Sequence, residues 1–412
     1  MTDPTRQTAF DLLAAVLDRR HALEEALSGL PAVEPRDRAA GHRLAAAVLR
    51  RLGSLDATLE PFLKKAPPQA VRHVLRIGAA GLLLLETPPH AAVATAVSLA
   101  RSRGLAPFCP LVNAVLRRLA EAGPAALQGL DGPRLDTPPW LWASWGAEAR
   151  AIAQAHLLEA PLDLTLAPGV PPPPGGTELP TGSWRYPAGL RVATLSGYDD
   201  GAFWVQDAAA SLPARLLNAQ IGERIADLCA APGGKTAQLA SSGADITAVE
   251  RNSARIVRLT ENLARLQLKA SIVHADAITW QPPALLDAVL LDAPCSATGT
   301  IRRHPDVIRL KRESDIRALA DQQDRLIAAA TVMLRPGGRM VYAVCSLQPQ
   351  EGPERIAAAL QGGDLLADPF SENELSCLPQ ALTPEGWVRT TPALWPEHGG
   401  MDGFFIARFR RA

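Results

Sequence analysis

The sequence lacks a hydrophobic run long enough to cross a membrane. Its longest apolar stretch, residues 77–85, is far shorter than the roughly 20 residues that a membrane helix requires. Residues 1–20 also lack the basic and then apolar pattern of a signal peptide. We therefore expect a cytoplasmic protein with no membrane partner.

The sequence also lacks paired cysteines. Its cysteines are an odd number and form no C-x-x-C motif: Cys109, Cys229, Cys295, Cys345 and Cys377. This spacing argues against a disulfide framework and against a zinc site, so we predict free thiols and no bound metal. A free cysteine is either a small buried hydrophobe or a chemical group, and each one has to be judged by its position.

Net charge is absent as well, because 42 Lys and Arg balance 42 Asp and Glu. No global positive field therefore attracts a polyanion. The distribution is uneven, since residues 1–135 hold 17 basic against 12 acidic side chains and residues 136–412 hold 25 against 30. This difference favours contact between the N-terminal part and nucleic acid.

The stretch DLCAAPGGKT, residues 227–236, resembles the end of a phosphate-binding loop but lacks its first glycine. A Walker A loop has the pattern G-x-x-x-x-G-K-[ST], and Cys229 stands where that first glycine belongs. Pro232 also removes a backbone amide that a phosphate would need. The sequence thus argues against an NTPase.

The chain divides into three regions by its patterns. Residues 1–135 have helical periodicity, with further helices predicted at 38–51, 54–64, 69–85, 91–102 and 110–122, and we predict an all-α domain. Residues 136–205 are broken by prolines and glycines, most densely at 168–183, and are predicted as a linker. Residues 206–412 alternate short apolar runs with helical patterns, which is typical of an α/β domain with a doubly wound, mostly parallel sheet.

The predicted strands of the last region are short and apolar. They cover residues 225–228, 245–250, 271–274, 288–291 and 340–345, and residues 404–409 are predicted as an antiparallel edge strand. Ligands of open parallel sheets bind beyond the carboxyl ends of the strands. Polar residues at those ends are therefore the candidates for a site.

Three of these strand ends suit an adenosine-containing ligand. Gly233 and Gly234 allow close approach of the backbone, and Glu250, at the end of the next strand, can accept both ribose hydroxyls. Asp276 suits the adenine amino group. A pocket rich in carboxylates matches a sulfonium cation, so we predict S-adenosyl-L-methionine as cofactor.

Two further strand ends carry Cys295 and Cys345. Carbon 5 of cytosine is too poor a nucleophile to take a methyl group directly, but a thiolate that adds to carbon 6 activates it. Asp292 can bond ring nitrogen 3 and the exocyclic amine that distinguish cytosine from uracil. Chemistry alone leaves open which cysteine attacks.

The motifs DLCAAPGGKT, LLDAPCSATG followed by IRRHPD, and VYAVCS with DGFF near the end resemble the RNA cytosine-5 methyltransferase (Nol1/Nop2/Sun-like) family over residues 200–410. PPHAAV (88–93) and LVNAVLRRL (111–119) resemble a NusB-like RNA-binding domain. The resemblance implies a Rossmann-like class I methyltransferase domain at 206–412, a reduced RRM-like subdomain within 136–205 and a NusB-like domain at 1–135. It also implies 16S ribosomal RNA as the substrate and partner, and we expect a monomer.

The same resemblance implies roles for single residues. Cys345 is the expected nucleophile and Cys295 the residue that assists product release, with Asp292 beside them. The expected cofactor site consists of Cys229, Ala230, Ala231, Pro232, Gly233, Gly234, Lys235, Glu250, Asp276 and Asp292. Phosphate contacts are expected from Arg302, Arg303, Arg309, Lys311 and Arg312.

This sequence departs from the family at two places. Val344 replaces the threonine that precedes the nucleophile, which removes a hydroxyl near the thiol. The RRM-like region is shortened to the proline-rich stretch around residues 171–174. Two alternatives remain open: a transfer-RNA cytosine-5 methyltransferase, and a non-catalytic RNA-binding or ribosome assembly factor.

Overall fold

The structure is a computed structural model that describes residues 3–31 and 33–412. Met1, Thr2 and Ala32, which belong to the predicted helical domain, lie outside the described residues. The chain forms two compact units. The helical unit comprises Met1–Glu159 and Ile301–Lys311, and the sheet unit comprises Ala160–Thr300 and Arg312–Ala412.

The helical unit is built from short and medium helices around one apolar core. Asp3 caps the first helix by accepting from the backbone N–H of Arg6, and Pro4 occupies the first turn, where its missing N–H is tolerated. The helices are α1 (Pro4–Leu17), α2 (Leu23–Ser28), α3 (Pro35–Arg50), α4 (Leu52–Leu59), α5 (Gln69–Leu83), α6 (Pro89–Ser102), α7 (Cys109–Ala122), α8 (Gly132–Asp136), α9 (Pro139–Trp145), α10 (Ala149–His156) and α14 (Val307–Leu310).

The core of this unit is formed by leucines, valines and alanines of α1, α3, α5, α6 and α7, such as Leu13, Leu49 and Leu116. The predicted all-α region is therefore confirmed. Helix α8 was not predicted, and residues 139–156, within the region 136–205 predicted as a linker, are largely helical instead. The reason is positional: Pro133 and Pro139 stand in the first turns of α8 and α9, where proline favours a helix.

The sheet unit begins with a small antiparallel sheet in the order β2-β3-β1-β4. Its strands are β1 (Leu162–Leu166), β2 (Thr177–Glu178), β3 (Trp184–Tyr186) and β4 (Phe203–Val205). Leu164, Tyr186 and Phe203 form its core. The proline-rich residues 171–174 lie outside any strand, as predicted.

The main sheet has the order β10-β12-β9-β8-β5-β6-β7, with β11 paired to β12. Its strands are β5 (Arg224–Leu228), β6 (Asp245–Glu250), β7 (Ser271–His274), β8 (Leu286–Asp292), β9 (Leu334–Val344), β10 (Leu365–Ala367), β11 (Val388–Arg389) and β12 (Phe405–Arg411). Its helices are α11 (Leu212–Leu217), α12 (Gly234–Ala240), α13 (Ser253–Arg265), α15 (Glu313–Met333) and α16 (Pro353–Gln361).

Strands β5 to β9 are parallel to one another, and their side chains alternate between two buried faces. In β8, Ala288 and Leu290 pack on one face, while Val289 and Leu291 pack on the other. Both faces are covered, which explains why the central strands are continuous apolar runs. The predicted doubly wound sheet is confirmed.

One strand position differs from the prediction. The run at 404–409 does form an antiparallel strand, β12, but β12 lies between β9 and β10 rather than at the edge. The edge strand, β10, has three residues, too few for a period-2 pattern to be recognised.

Candidate functional site

The carboxyl ends of β5, β6, β8 and β9 border the candidate site. The chain order of the sheet reverses between β5 and β8, and a ligand crevice forms at such a point in open parallel sheets. The turn after β5 contains a cis peptide bond between Ala231 and Pro232. Gly233 has a φ of 103°, and a Cβ there would lie 2.6 Å from Leu259 Cδ1, so only glycine fits this turn.

Glu250 closes β6 and is 3% exposed. Its Oε1 accepts from the backbone N–H of Asn252 at 2.9 Å. Oε2 makes no hydrogen bond within the described part of the chain, although Arg255 Nη1 lies 3.4 Å away. A buried carboxylate oxygen left without a hydrogen bond suits the ribose hydroxyls of a nucleoside. The residues present therefore fit the predicted cofactor.

Asp276 follows β7, is half-buried, and accepts from the backbone N–H of Ile278 through Oδ1 at 2.9 Å. Cys229 has a φ of 63° and is partly buried. Burial, followed by the charges of Asp292 and Glu250, raises the pKa of the Cys229 thiol to about 12. This cysteine therefore stays protonated and does not compete as a nucleophile.

Lys235 and Asp292 form an ion pair at the centre of the site. Lys235 Nζ lies 2.7 Å from Asp292 Oδ2, and the ammonium lies 5.3 Å from the centre of the Phe404 ring. Burial lowers the pKa of Lys235, but the charge and hydrogen bond of Asp292 outweigh it, and the charge of Cys345 adds to the rise. Lys235 is therefore a fixed cation close to the Cys345 sulfur.

The two predicted cysteines lie side by side. Cys345 comes directly after β9 and Cys295 three residues after β8, and these strands are neighbours in the sheet. Their Sγ atoms are 3.5 Å apart. The hydrogen bond with Cys345, then burial, then the charges of Cys345 and Glu351 raise the pKa of Cys295 well above its ordinary value.

Two residues of the site were missed at the sequence level. Asp227, near the end of β5, is 1% exposed and accepts from Thr236 Oγ1 at 2.6 Å. Burial raises the pKa of Asp227 to about 7. A carboxylate inside an otherwise apolar strand could have been noticed. Glu351, which contacts the residues after both cysteines, stands in a loop with no pattern to mark it.

The predicted phosphate-binding cations differ in their exposure to solvent. Arg302 is 1% exposed, and the partly buried Arg309 donates through Nη2 to the carbonyl of Asp136 at 2.9 Å inside the helical unit. A buried guanidinium does not reach a phosphate on the surface, so the predicted contact is wrong for Arg302. The bond to Asp136 likewise gives Arg309 an internal role. Arg303 and Lys311 are partly exposed and Arg312 is exposed, so their phosphate contacts stay a prediction.

Within residues 3–31 and 33–412, no group of three or more His, Cys, Asp or Glu side chains could hold a metal ion. No helix in the described ranges is long and apolar enough to cross a membrane.

Comparison with known proteins gives matches along the whole chain. A family model described as 16S rRNA methyltransferase RsmB/F matches residues 214–410, and the NusB family model matches residues 3–121. A ribosomal RNA small subunit methyltransferase B from Sodalis glossinidius is 35% identical, with 98% of this chain and 96% of the relative covered. The protein of that name from Xylella fastidiosa (strain Temecula1) is also 35% identical, with 98% and 97% covered.

Solved structures share the fold. The crystal structure of PH0851 has a TM-score of 0.77 at 20% identity and covers 100% of this chain and 99% of its own. A methyltransferase homologue from Pyrococcus horikoshii has a TM-score of 0.54 at 24% identity and covers 69% of this chain and 96% of its own. The architecture, the strand-end site and the full-length relatives agree, and the chain belongs to the ribosomal RNA small subunit methyltransferase B family, with an N-terminal NusB domain.

Proposed function

We propose that this protein methylates carbon 5 of one cytosine in 16S ribosomal RNA, with S-adenosyl-L-methionine as the methyl donor and a transient bond between Cys345 and the base. The observation that carries the proposal is the pair of sulfurs 3.5 Å apart beside the ion pair of Lys235 and Asp292. Methyl transfer to oxygen or to an exocyclic nitrogen needs no thiol nucleophile, whereas activation of carbon 5 of a pyrimidine by addition to carbon 6 does.

The cofactor pocket follows from the carboxylates of the strand ends. When bound, S-adenosyl-L-methionine supplies a methyl group on a positively charged sulfur. Glu250 would hold the ribose hydroxyls through Oε2, which makes no hydrogen bond within the described residues, and Asp276 would accept from the adenine amino group. The turn at residues 229–235 would form the wall, since its Gly233 and Gly234 leave the backbone accessible.

Cys345 would act as the nucleophile. Its thiolate adds to carbon 6, and the electron pair of the ring double bond becomes available at carbon 5. The ammonium of Lys235 stabilises negative charge on this sulfur because it lies close to Cys345 and stays protonated. Asp292, fixed by the same lysine, would accept a hydrogen bond from the exocyclic amine of the base, and from nitrogen 3 once that nitrogen is protonated.

Cys295 would complete the reaction. Once carbon 5 carries the methyl group, its proton has to leave and the bond from carbon 6 to Cys345 has to break. The raised pKa of Cys295 keeps its thiol protonated, so the proton of carbon 5 would pass to water while Cys345 leaves as a thiolate. The Cys295 thiol, whose sulfur lies 3.5 Å from that of Cys345, would stabilise this leaving thiolate by a hydrogen bond. The double bond of the ring is thereby restored.

The target cytosine has to be unpaired or extruded, because addition to carbon 6 requires access to the ring face. The names of the full-length relatives support ribosomal RNA of the small subunit as the substrate. This substrate implies RNA as the partner and the bacterial cytoplasm as the place of action. Phosphate contacts would come from the exposed Arg312 and the partly exposed Arg303 and Lys311.

Cysteine variants test the assignment of roles. We expect Cys345→Ala to reduce methylation by on the order of 10³-fold or more, as loss of a nucleophile does. Cys295→Ala should instead accumulate a covalent RNA–protein adduct, visible as a shifted band on a denaturing gel. Cys377→Ala is the matched control and should behave like the wild type, since Cys377 is partly buried against an apolar core and does not border the site. Undiminished methylation by Cys345→Ala would contradict the proposal.

The substrate is tested separately. Bisulfite sequencing of total RNA from cells with and without the protein should show one cytosine of 16S ribosomal RNA that changes. A change confined to transfer RNA would replace the substrate and keep the chemistry. If no cytosine changes and calorimetry detects no binding of S-adenosyl-L-methionine, a non-catalytic assembly factor is the better description.

A further inference from the structure

A buried carboxylate lies behind the two cysteines. Glu351 follows β9 in the loop that leads to α16, and its exposed fraction is 0%. Neither the cofactor pocket nor the base recognition proposed above uses it. Its contacts nevertheless reach the residue that follows each cysteine.

The first set of contacts holds the loop after β8. Glu351 Oε1 accepts from the backbone N–H of Ser296 at 2.8 Å, and Oε2 accepts from the Ser296 hydroxyl at 2.5 Å. Gln323 Nε2 donates to the same Oε1 at 3.1 Å and to the carbonyl of Pro294 at 3.0 Å. The backbone on both sides of Cys295 is thereby tied to one carboxylate.

The second set holds the loop after β9. The Ser346 hydroxyl donates to Glu351 Oε2 at 2.5 Å. The hydroxyls of Ser296 and Ser346 are 3.0 Å apart and meet at this one oxygen. Tyr342, in β9 itself, donates from its hydroxyl to the carbonyl of Glu351 at 2.6 Å. One side chain thus joins the neighbours of Cys295 and Cys345.

The charge state of Glu351 matters for this arrangement. An ionised carboxylate is only an acceptor and can take several donors at once, as it does here from two hydroxyls, a backbone amide and a side-chain amide. The groups that donate hydrogen bonds to the carboxylate of Glu351 are all neutral. Burying a charge in this way is unfavourable, and apolar packing would not require it.

We propose that Glu351 is a positioning residue, which fixes the separation of the Cys295 and Cys345 sulfurs through Ser296 and Ser346. Its charge also keeps a proton on Cys295 before the cytosine binds. The first part concerns geometry alone. The kinetic consequence rests on the proposed function, because it assigns release of the product to Cys295.

The titration of Cys295 is consistent with this role. The ionisable groups that act on it are Cys345 after β9, Glu351 before α16 and Tyr342 in β9, and Lys235 of α12 faces Cys345. The hydrogen bond with Cys345 and burial are the larger causes of the raised Cys295 pKa, and the charge of Glu351 adds to them. Burial also raises the pKa of Tyr342 well above its usual range, so this phenol stays neutral.

Two substitutions test the charge of Glu351 and the length of its side chain separately. Glu351→Gln keeps the length of the side chain and removes its charge, and the serine hydroxyls can rotate to accept from the new amide. Glu351→Asp keeps the charge but is one methylene too short to meet both loops. Glu223→Gln is the matched control, because Glu223 is also a hydrogen-bonded carboxylate but pairs with Arg339 far from the cysteines along β9.

The test measures the thiols directly. The pH dependence of Cys295 alkylation by iodoacetamide, followed on its peptide by mass spectrometry, should shift to lower pH by on the order of 1 unit in Glu351→Gln. The rate at which diamide joins Cys295 to Cys345 should fall severalfold in Glu351→Asp. Glu223→Gln should change neither. Unaltered alkylation and crosslinking in both folded Glu351 variants would overturn the proposal.

Ser346→Ala provides a second route should the Glu351 variants fail to fold. It removes one hydroxyl donor and leaves the carboxylate in place, so it should slow crosslinking by diamide while Thr331→Ala, which removes a buried hydroxyl that donates within α15, should not. Equal crosslinking rates in the two alanine variants would also overturn the proposal.

Methylation kinetics then connect this proposal to the reaction. In Glu351→Gln we expect kcat to fall by on the order of 10-fold, with KM for S-adenosyl-L-methionine unchanged, because Glu351 does not line the cofactor pocket. The thiol measurements need no methylation. Shifted thiols without any methylation by the wild type would refute the proposed function and leave the positioning role of Glu351 supported.

Discussion

Residues 292–299 and residues 301–311 are almost adjacent in the sequence, and both carry side chains that are typical of function. The first stretch holds Cys295 and stays in the sheet unit, where its polar groups border the site. The second stretch, the arginine segment (Ile301–Lys311), belongs to the helical unit. There Arg302 is buried and Asp306 accepts from the backbone N–H of Leu23 at 2.9 Å.

The difference between the two stretches shows which residues can be assigned to a site from the neighbouring sequence alone. A cysteine at the end of a central parallel strand reaches the ligand edge of the sheet by the geometry of the strand itself. An arginine in a loop has no such constraint, because its exposure depends on helices that are distant in the sequence. Arg50, for example, donates to the carbonyl of Arg302 at 2.9 Å across 252 residues.

The largest effect is expected from the arginine segment. Arg302→Ala removes a fully buried guanidinium, and we expect the free energy of unfolding to fall by about 3 kcal/mol. Urea denaturation measures this change. Lys311→Ala, in the same segment but partly exposed, should change stability by less than about 0.5 kcal/mol.

An NMR titration of His156 tests the buried position of Arg302 without a stability measurement. Burial first, and then the charges of Arg302 and Arg50, lower the pKa of His156 to about 3. Removal of Arg302 should therefore raise the pKa of His156, as measured by NMR titration of its ring protons. If the Arg302→Ala protein is as stable as the wild type, leaves the pKa of His156 unchanged and binds RNA more weakly, then Arg302 contacts RNA after all.

Asp227 gives a smaller effect, which depends on pH. Its pKa is raised to about 7 by burial, so the native state binds this proton more tightly than the unfolded state, whose carboxyl titrates near 3.9. The stability of the protein should therefore fall as the pH rises from about 5 to 8, by about 2–3 kcal/mol from this group.

Asp227→Asn removes this titration and keeps an acceptor for Thr236 Oγ1. As the pH rises over the same range, the free energy of unfolding of the variant should increase relative to that of the wild type. Asp245→Asn, at the exposed start of β6, is the control and should show no such trend. Parallel stability curves for wild type and Asp227→Asn would show that the buried carboxyl does not titrate there.

Much of the fold was predictable because its determinants are local. Five central strands and the helices between them follow from apolar runs and from caps such as Asn252, whose side chain accepts from the backbone N–H of Arg255. The helices α8 and α9 were missed because prolines were interpreted as breaks rather than as first-turn residues. Strand β10 was missed because it has only three residues.

The candidate site was predictable to the same extent. Cys295, Cys345, Asp292, Glu250 and Asp276 all lie where strand ends place them. Glu351 could not be found this way, because its role depends on contacts with two loops that are close only in the folded sheet. Sequence patterns mark residues that touch a ligand more readily than residues that hold other residues in place.

The smallest predicted effect concerns Arg312, the exposed cation at the other end of the charge run. If Arg312 contacts one phosphate, Arg312→Ala should weaken RNA binding a few-fold and reduce the slope of log affinity against log salt concentration by about 1. Stability should stay within about 0.5 kcal/mol of the wild type. Filter binding at several salt concentrations measures both the affinity and the slope.

Arg335→Ala is the matched control for this measurement. Arg335 is about as accessible, with 48% of its side chain exposed, but it pairs with Asp287 near the opposite, amino-terminal end of β8. Its loss should leave the salt slope unchanged. A reduced slope for Arg312→Ala alone would show that, of two exposed arginines in the sheet unit, only the one near the carboxyl ends of the strands contacts phosphate. Equal slopes would remove Arg312 from the interface and leave the RNA contacts to other cations.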